Sequence, residues 1–380
     1  MLNRILFLTC MPLEAPRSAS MAFMDILLKK YPNLFAWYAL RAPAPEAQNP
    51  FAMPYQFSPS WEKPARFPSL KHFIKFFIWA RYAGKKAAAF GKANDVQAVW
   101  ADLAFEAVTA GRVAAKRLNV PLLVSIHDDP PNRLRVKQMP AWLVSLYERE
   151  FSATLSAAKK IAVISDMMGA EYKKRYGVKS LTLYPGVEEK NCLPILPRKE
   201  NKAPLVIGSV GSVNSPQNFD LLREAVKKLN NETGENRFHI LHLGKWKDKT
   251  PPADVETTGW LPPAEFKKQL ARFDVAFLSS SFLPQDAETG RMSFPMKITS
   301  YLEAGVPTLT LAPEDSSAAR FAREHGCGLV CNQPNASALA QIIETITNPK
   351  DKLKFSNAIK ITREELSRQS FFLNFEMFIS

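Results

Sequence analysis

The chain has 380 residues, 46% of them hydrophobic and 23% charged, and its 29 prolines form no long tract. That length suits two domains, and the composition excludes a disordered or low-complexity chain. The formal charge of +14 is uneven: residues 1–190 carry 27 Lys and Arg against 15 Asp and Glu, so this half is expected to meet something anionic, such as a phospholipid surface, a lipid-phosphate acceptor or nucleic acid.

Met1–Leu8 is too brief for a secretory signal core, and no stretch approaches the ~18 apolar residues of a spanning helix. The expectation is a cytoplasmic protein. Cys10, Cys192, Cys327 and Cys331 contain no CxxC pair, and no histidine completes a zinc set around Cys327 and Cys331. No metal site and no cofactor is expected, and the cysteines read as reduced, packed thiols.

In chain order, Arg4–Thr9 reads as a buried strand and Ala19–Lys30 as an amphipathic helix, after a loop holding Pro12, Pro16 and Arg17. Arg41–Pro68 is rich in proline and aromatics and reads as irregular. A helical stretch follows from Ser69 to about Lys92. Ala98–Ala101 begins a strand–helix unit whose helix is Glu106–Leu118. Pro121–Ile126 is a strand ended by His127-Asp128-Asp129-Pro130, Trp142–Ala158 a helix, and Ile161–Ile164 a strand. Ser165-Asp166 caps a helix to Tyr176, whose basic last turn precedes Gly177. Leu181–Tyr184 closes this half.

A polar, proline-marked linker runs from Glu188 to Pro204, and the pattern restarts. Leu205–Val210 is a strand, Gly211–Pro216 a loop and Asn218–Leu229 a helix. Phe238–Leu243 is a strand, Thr257–Trp260 a turn and Glu265–Ala271 a helix. Val275–Leu278, helix Pro295–Ala304 and strand Thr308–Leu311 follow. Strands alternating with helices predict parallel sheets, with ligands beyond the carboxyl ends of the strands. The expected domains are 1–190 and 200–365, with 366–380 a helix packing back on the first.

The densest constellation is Ser293-Phe294-Pro295-Met296-Lys297-Ile298-Thr299-Ser300-Tyr301-Leu302-Glu303-Ala304-Gly305-Val306-Pro307. Pro295 reads as the first residue of a helix, whose free N–H groups make an anion site, with Lys297 adding a charge one turn in. An ordinary helix with Pro at its start and Gly at its end explains the same residues.

This run is similar to the P-x-K-x-x-E-Y-x-A-x-G-x-P signature of GT-B glycosyltransferases related to the retaining family GT4. The resemblance extends through Ile164-Ser165-Asp166, Tyr184-Pro185-Gly186-Val187, Ile207–Gly211, Leu241–Gly244 and Thr258–Leu261. It implies a GT-B α/β fold of two Rossmann-like domains facing a central cleft. It also implies a nucleotide-sugar donor held by Gly211, Ser212, Asn214, Gly244, Gly259, Trp260, Ser293, Phe294, Pro295, Lys297 and Ser300. Ser300 stands where the family has a ribose-binding glutamate, which loses a bidentate grip, and Met292 replaces a second glutamate; Glu288, Arg291 and Glu303 are nearby polar substitutes.

In the first half the resemblance implies a His–Asp pair near the transferred sugar. His127 would bond a sugar hydroxyl or position the acceptor, and Asp128 or Asp129 would orient it or act as a base. Front-face transfer with retention needs charge stabilisation at the leaving diphosphate, for which Arg17 and Lys297 are the candidates. No Asp-x-Asp triplet offers a metal site. Leu70–Lys86 interleaves bases with aromatics, as a helix lying on an anionic bilayer would; a domain helix with one buried face fits the same pattern.

The expectation is a transferase moving sugar to a glycan or lipid-linked acceptor in surface polysaccharide assembly, cytoplasmic and peripheral on the inner membrane face. No nucleic-acid module is recognisable. A nucleotide-sugar epimerase of the same fold and a non-catalytic glycan-binding scaffold are the rivals.

Overall fold

The computed structural model describes residues 2–13, 19–43, 53–59, 66–195, 204–213, 215–246 and 250–380. Arg17 and Asn214 lie outside these residues. The chain divides into two compact units, Met1–Tyr184 with Phe372–Ser380, and Pro185–Phe371.

The first unit is built on a seven-stranded parallel sheet: β1 Ile5–Thr9, β2 Phe35–Ala39, β3 Tyr55–Phe57, β4 Ala98–Asp102, β5 Leu122–Ile126, β6 Lys160–Val163 and β7 Leu181–Thr182. Their order is β3-β2-β1-β4-β5-β6-β7. β1, β2, β4 and β5 are buried along their whole length and are mostly apolar, with Thr9, Asp102 and Ser125 the polar exceptions. Phe7 packs edge-on between Trp37 and Trp100, at 4.7 and 4.8 Å. The last helix, Arg368–Ile379, closes this core with Phe375 and Phe378, 5.7 and 5.4 Å from the Trp100 ring.

The second unit has a six-stranded parallel sheet: β8 Leu205–Val210, β9 Phe238–Leu243, β10 Val255–Thr257, β11 Val275–Ser279, β12 Thr308–Leu311 and β13 Gly328–Cys331, in the order β10-β9-β8-β11-β12-β13. Residues 185–195 belong to this unit. Val187 bridges to Ser367, and the Leu193 N–H donates to Glu303 O at 2.8 Å.

Both sheets reverse their strand order once, at β1/β4 and at β8/β11. Ligands of open parallel sheets bind beyond the strands' carboxyl ends at such a reversal. Thr9 and Asp102 end the strands at the first, Val210 and Ser279 at the second.

Three expectations are corrected, and one helix is new. The stretch read as irregular contains β3, an edge strand only three residues long, while 44–52 and 60–65 within it lie outside the described residues. Pro130–Val136 forms an unforeseen helix, capped by Asp129. The expected turn Thr257–Trp260 loses its first residue to an edge strand, Val255–Thr257. The helix read from Pro295 begins at Lys297, and Pro295 contributes only a carbonyl, accepting from the Ile298 N–H at 3.1 Å.

The basic aromatic stretch is helical from Pro68 to Ala93 with a π segment at Ile74–Trp79, and it is divided between interior and surface. Phe76 and Phe77 are buried; Lys75 pairs with the buried Glu106 at 2.7 Å and Arg81 with Glu150 at 2.7 Å.

Candidate active site

In the first unit, three strand ends assemble one polar cluster. Asp102, 8% exposed, accepts from Thr9 Oγ1 at 3.1 Å and from Ser125 Oγ at 3.3 Å. Trp100 Nε1 in turn donates to Ser125 Oγ at 2.9 Å, so the hydroxyl is fixed from the core side. His127, one residue beyond β5, places Nε2 3.7 Å from Asp102 Oδ1, with Phe23 edge-on at 5.2 Å. The carboxylate that faces His127 is therefore Asp102, a residue the sequence reading did not select.

Neither neighbouring aspartate takes that part. Asp129 is buried, accepting from the Asn132 N–H at 2.6 Å and from Tyr172 Oη at 2.9 Å, so it caps a helix and ties it to the core. Its charge, after burial, helps push the Tyr172 hydroxyl well above its ordinary range. Asp128 pairs with Arg133 at 3.2 Å. His127 and Asp128 line a cavity of about 170 Å³ together with Thr9, Asp102, Phe105 and Arg133.

In the second unit the carboxyl ends of β8 and β9 meet the start of helix Lys297–Ala304. Gly211 has φ +73°, a conformation that glycine adopts without strain. A Cβ on Gly244 would fall 2.3 Å from Gly211 O, so only glycine lets the two loops close on each other. Lys297 Nζ donates to Ser212 O at 2.5 Å, spanning this glycine floor. Burial pushes its ammonium down to about 8. Tyr301, fully buried, holds the helix to the sheet by donating to Phe277 O at 2.8 Å and accepting from the Val210 N–H at 3.2 Å.

His242, near the end of β9, was also missed. It is fully buried beside Phe219 and Trp246, and burial followed by the Lys297 charge pushes it down to about 4. Neither ring nitrogen meets a partner in hydrogen-bonding geometry among the described residues, although the Lys245 backbone lies close enough to offset part of that drop. The imidazole thus brings no charge to the site at neutral pH.

Of the remaining candidates, Trp260 is 65% exposed and follows Gly259, whose φ is +68°. Phe294 is buried against Phe321 at 5.2 Å, so its side chain serves the core, and Ser293 O accepts from Ser317 Oγ. Ser300 is half-buried on the Lys297–Ala304 helix. Glu303 is no substitute for the absent glutamates: half-buried, it accepts from the Glu188 N–H at 3.2 Å, and burial raises its pKa. Among the described residues no group of three or more His, Cys, Asp or Glu side chains is arranged to hold a metal ion.

Residues 38–190 match the family model Glycosyltransferase Family 4, and residues 204–348 match Glycosyl transferases group 1. The chain belongs to the GT4-like glycosyltransferases of the GT-B fold. Solved structures agree in fold. Anabaena Alr3699/HepE in complex with UDP-glucose superposes with a TM-score of 0.68 at 14% identity, over 99% of each chain. A glycosyltransferase from Rickettsia africae gives 0.69 at 15% identity, over 99% of this chain and 98% of that one. An E. coli trehalose-6-phosphate protein bound with UDP-2-fluoro glucose gives 0.65 at 9%, over 98% of each. No curated protein matches the sequence. In this GT4-like glycosyltransferase Lys297 thus stands over Gly211, with Ser300 half-buried on the same helix and Met292 buried just before it.

Proposed function

We propose that this glycosyltransferase takes a nucleotide-sugar donor in its second unit and transfers the sugar, with retention, to a glycan or lipid-linked acceptor held by the first. The observation that carries the donor reading is the Lys297 ammonium spanning a glycine floor at the end of β8. Small residues there leave room for a diphosphate, and a partly desolvated cation beside the helix start meets its charge. The exposed Trp260 indole offers the nucleobase a stacking face.

In the proposed step the bond between the anomeric carbon and the diphosphate oxygen breaks, its electron pair leaving on phosphate. The acceptor oxygen bonds to the same carbon from the same face, and its proton passes to the departing phosphate oxygen. Lys297 stabilises the charge that grows there. Asp102 and His127 fix the acceptor hydroxyl.

The surface of the 68–93 helix supports a membrane-side acceptor. Phe67 just before it and Leu70, Ile74, Ile78 and Tyr82 along it are 37% to 64% exposed, at spacings of three and four residues, next to the exposed Lys85 and Lys86. An apolar stripe flanked by lysines suits an anionic bilayer. Among the described residues no helix is long and apolar enough to cross one.

A thermal-shift panel of UDP-, GDP-, ADP- and CMP-sugars tests the donor reading: one base should stabilise the protein, and silence from all four would refute it. Product analysis of the stabilising sugar then separates transfer from epimerisation.

A further inference from the structure

His242 sits where three loops of the second unit leave the sheet. Its strand, β9, lies between β8 and β10, and His242 pairs with Ser209 on one side and Thr257 on the other. Its carbonyl accepts from the Thr258 N–H at 3.2 Å, which anchors the turn carrying Gly259 and Trp260. Its ring meets Phe219, in the opening turn of helix Pro216–Thr233, at 5.9 Å and Trp246 at 5.6 Å, both edge-on. Those two rings lie 5.0 Å from each other.

The imidazole also reaches the glycine floor. A Cβ on Gly244 would come within 3.0 Å of His242 Nε2 as well as 2.3 Å of Gly211 O. Lys297 belongs to the same cluster: its Cε would lie 3.7 Å from a Cβ on Gly211, and its charge acts on the imidazole.

The free fold gains nothing from the two ring nitrogens. His242 is 0% exposed, and neither nitrogen meets a partner in hydrogen-bonding geometry among the described residues. An unpaired buried polar group destabilises the state that contains it, and such exceptions mark strain or a working site. Phenylalanine at 242 would keep the ring and extend the apolar run of β9 without that cost. The nearest group able to satisfy the ring is already beside it. The Lys245 backbone favours the protonated imidazole, so the group facing the ring is an acceptor, the Lys245 carbonyl. A small shift of the loop would complete this bond.

We propose that His242 is a positioning residue for the donor. When a nucleoside diphosphate settles on the Gly211–Gly244 floor, the loop from Gly244 to Trp246 shifts, and the imidazole N–H donates to the Lys245 carbonyl. The ring then holds the loop against the ligand without touching the reacting atoms. The inference rests on the donor reading above and deepens it. Lys297 meets the ligand's charge, and a neutral hydrogen bond made only in the bound state fixes the loop beside it.

The test is calorimetric titration of the full chain with UDP, GDP, ADP and CMP, in parent and two variants. His242→Phe keeps the ring beside Phe219 and Trp246 and removes both nitrogens. Its melt should equal or exceed the parent's, while affinity for the nucleotide that binds falls about five- to tenfold, as loss of one hydrogen bond implies. His242→Gln, whose amide can donate from much the same place as Nε2, should recover most of that affinity. In protein carrying isotope-labelled histidine, the ring signal that His242→Phe removes should move when the nucleotide is added. Unchanged affinity in His242→Phe, or a His242 signal that the nucleotide leaves in place, overturns the inference. So does a melt that His242→Phe lowers and His242→Gln preserves, because the nitrogens are then paired in the free fold. In each of these cases the parent still binds nucleotide and the donor reading stands. If none of the four nucleotides binds the parent, the donor reading fails and this inference fails with it.

Discussion

Lys297 carries a pH prediction of definite sign. Burial lowers its ammonium from the ordinary 10.5 to about 8 in the free protein, and a bound diphosphate would raise it again. Below about pH 8 the lysine is charged both free and bound, so it adds no pH dependence to donor affinity. Above that, binding requires proton uptake, and affinity should fall by up to about tenfold per pH unit until the bound group itself titrates. Calorimetry with the selected nucleotide between about pH 7.5 and 9.5 reads this slope; Lys297→Met should bind more weakly and lose it, and a slope that survives assigns it elsewhere. The sign for folding is opposite. An unfolded lysine keeps its proton to about 10.5, so this group's contribution to stability rises with pH from about 8 upward. A second residue-scale expectation concerns Asp102. Asp102→Asn keeps the shape but removes the charge facing His127 and should lower turnover roughly ten- to a hundredfold through lost orientation, with nucleotide affinity unchanged. Lys297 was legible because a Pro-x-Lys run before a helix is a pattern. Asp102 was not, because a carboxylate ending one strand gains its meaning only when β1, β4 and β5 bring Thr9, Asp102 and His127 together. His242 is hidden for a similar reason: in sequence it is a polar interruption of an apolar strand, and only packing shows it buried.

At the scale of elements, what burial makes uniform is readable and what pairing makes is not. β1, β9 and β12 could be placed to within a residue since each is a short stretch rich in apolar or β-branched residues, bounded by polar or turn residues. β3 and β10 are three-residue strands at sheet edges, held by one neighbour apiece, and short edge strands have no period to read. The 68–93 helix shows a different limit. Interleaved bases and aromatics mark both a bilayer-facing surface and a buried face, and here both exist on one helix. Lys75, Phe76 and Phe77 serve the interior, leaving Leu70, Ile74, Ile78 and Tyr82 outside with Arg81, Lys85 and Lys86. The Ile74–Trp79 π segment, in which each turn takes an extra residue, lies along that division. Ile74→Glu/Ile78→Glu removes two exposed apolar groups and adds two negative charges, each lysine-type surface charge being worth about 1 kcal/mol on an anionic bilayer. Binding to phosphatidylserine vesicles in a co-sedimentation assay should drop at least tenfold, by roughly that arithmetic, with the melt unchanged. Equal binding of parent and variant would remove the stripe from any membrane role.

For the whole molecule, the division into units sets how stability should be read. Each unit has its own sheet and buried core, so heating need not be two-state and one melting temperature need not describe the chain. The first core depends on residues at the far end of the sequence: Phe375 and Phe378, fully buried, lie beside Trp100, and Lys160 Nζ donates to Met377 O at 2.5 Å. Phe375→Ala would open a void against Phe35 and Trp100, costing about 3–5 kcal/mol. In a unit of this size that corresponds to roughly ten degrees. Differential scanning calorimetry with and without the selected nucleotide gives the decisive comparison. If the donor binds through Lys297, the nucleotide raises the transition of the second unit, because a ligand stabilises only the state that binds it. Phe375→Ala should lower the other transition and leave the nucleotide-shifted one in place. Should the substitution instead lower the transition that the nucleotide raises, then either the units melt as one or the nucleotide sits in the first, and repeating the scan with Lys297→Met distinguishes these: loss of the nucleotide shift keeps the donor on Lys297 and makes the melting coupled, whereas a shift that persists moves the donor to the first unit.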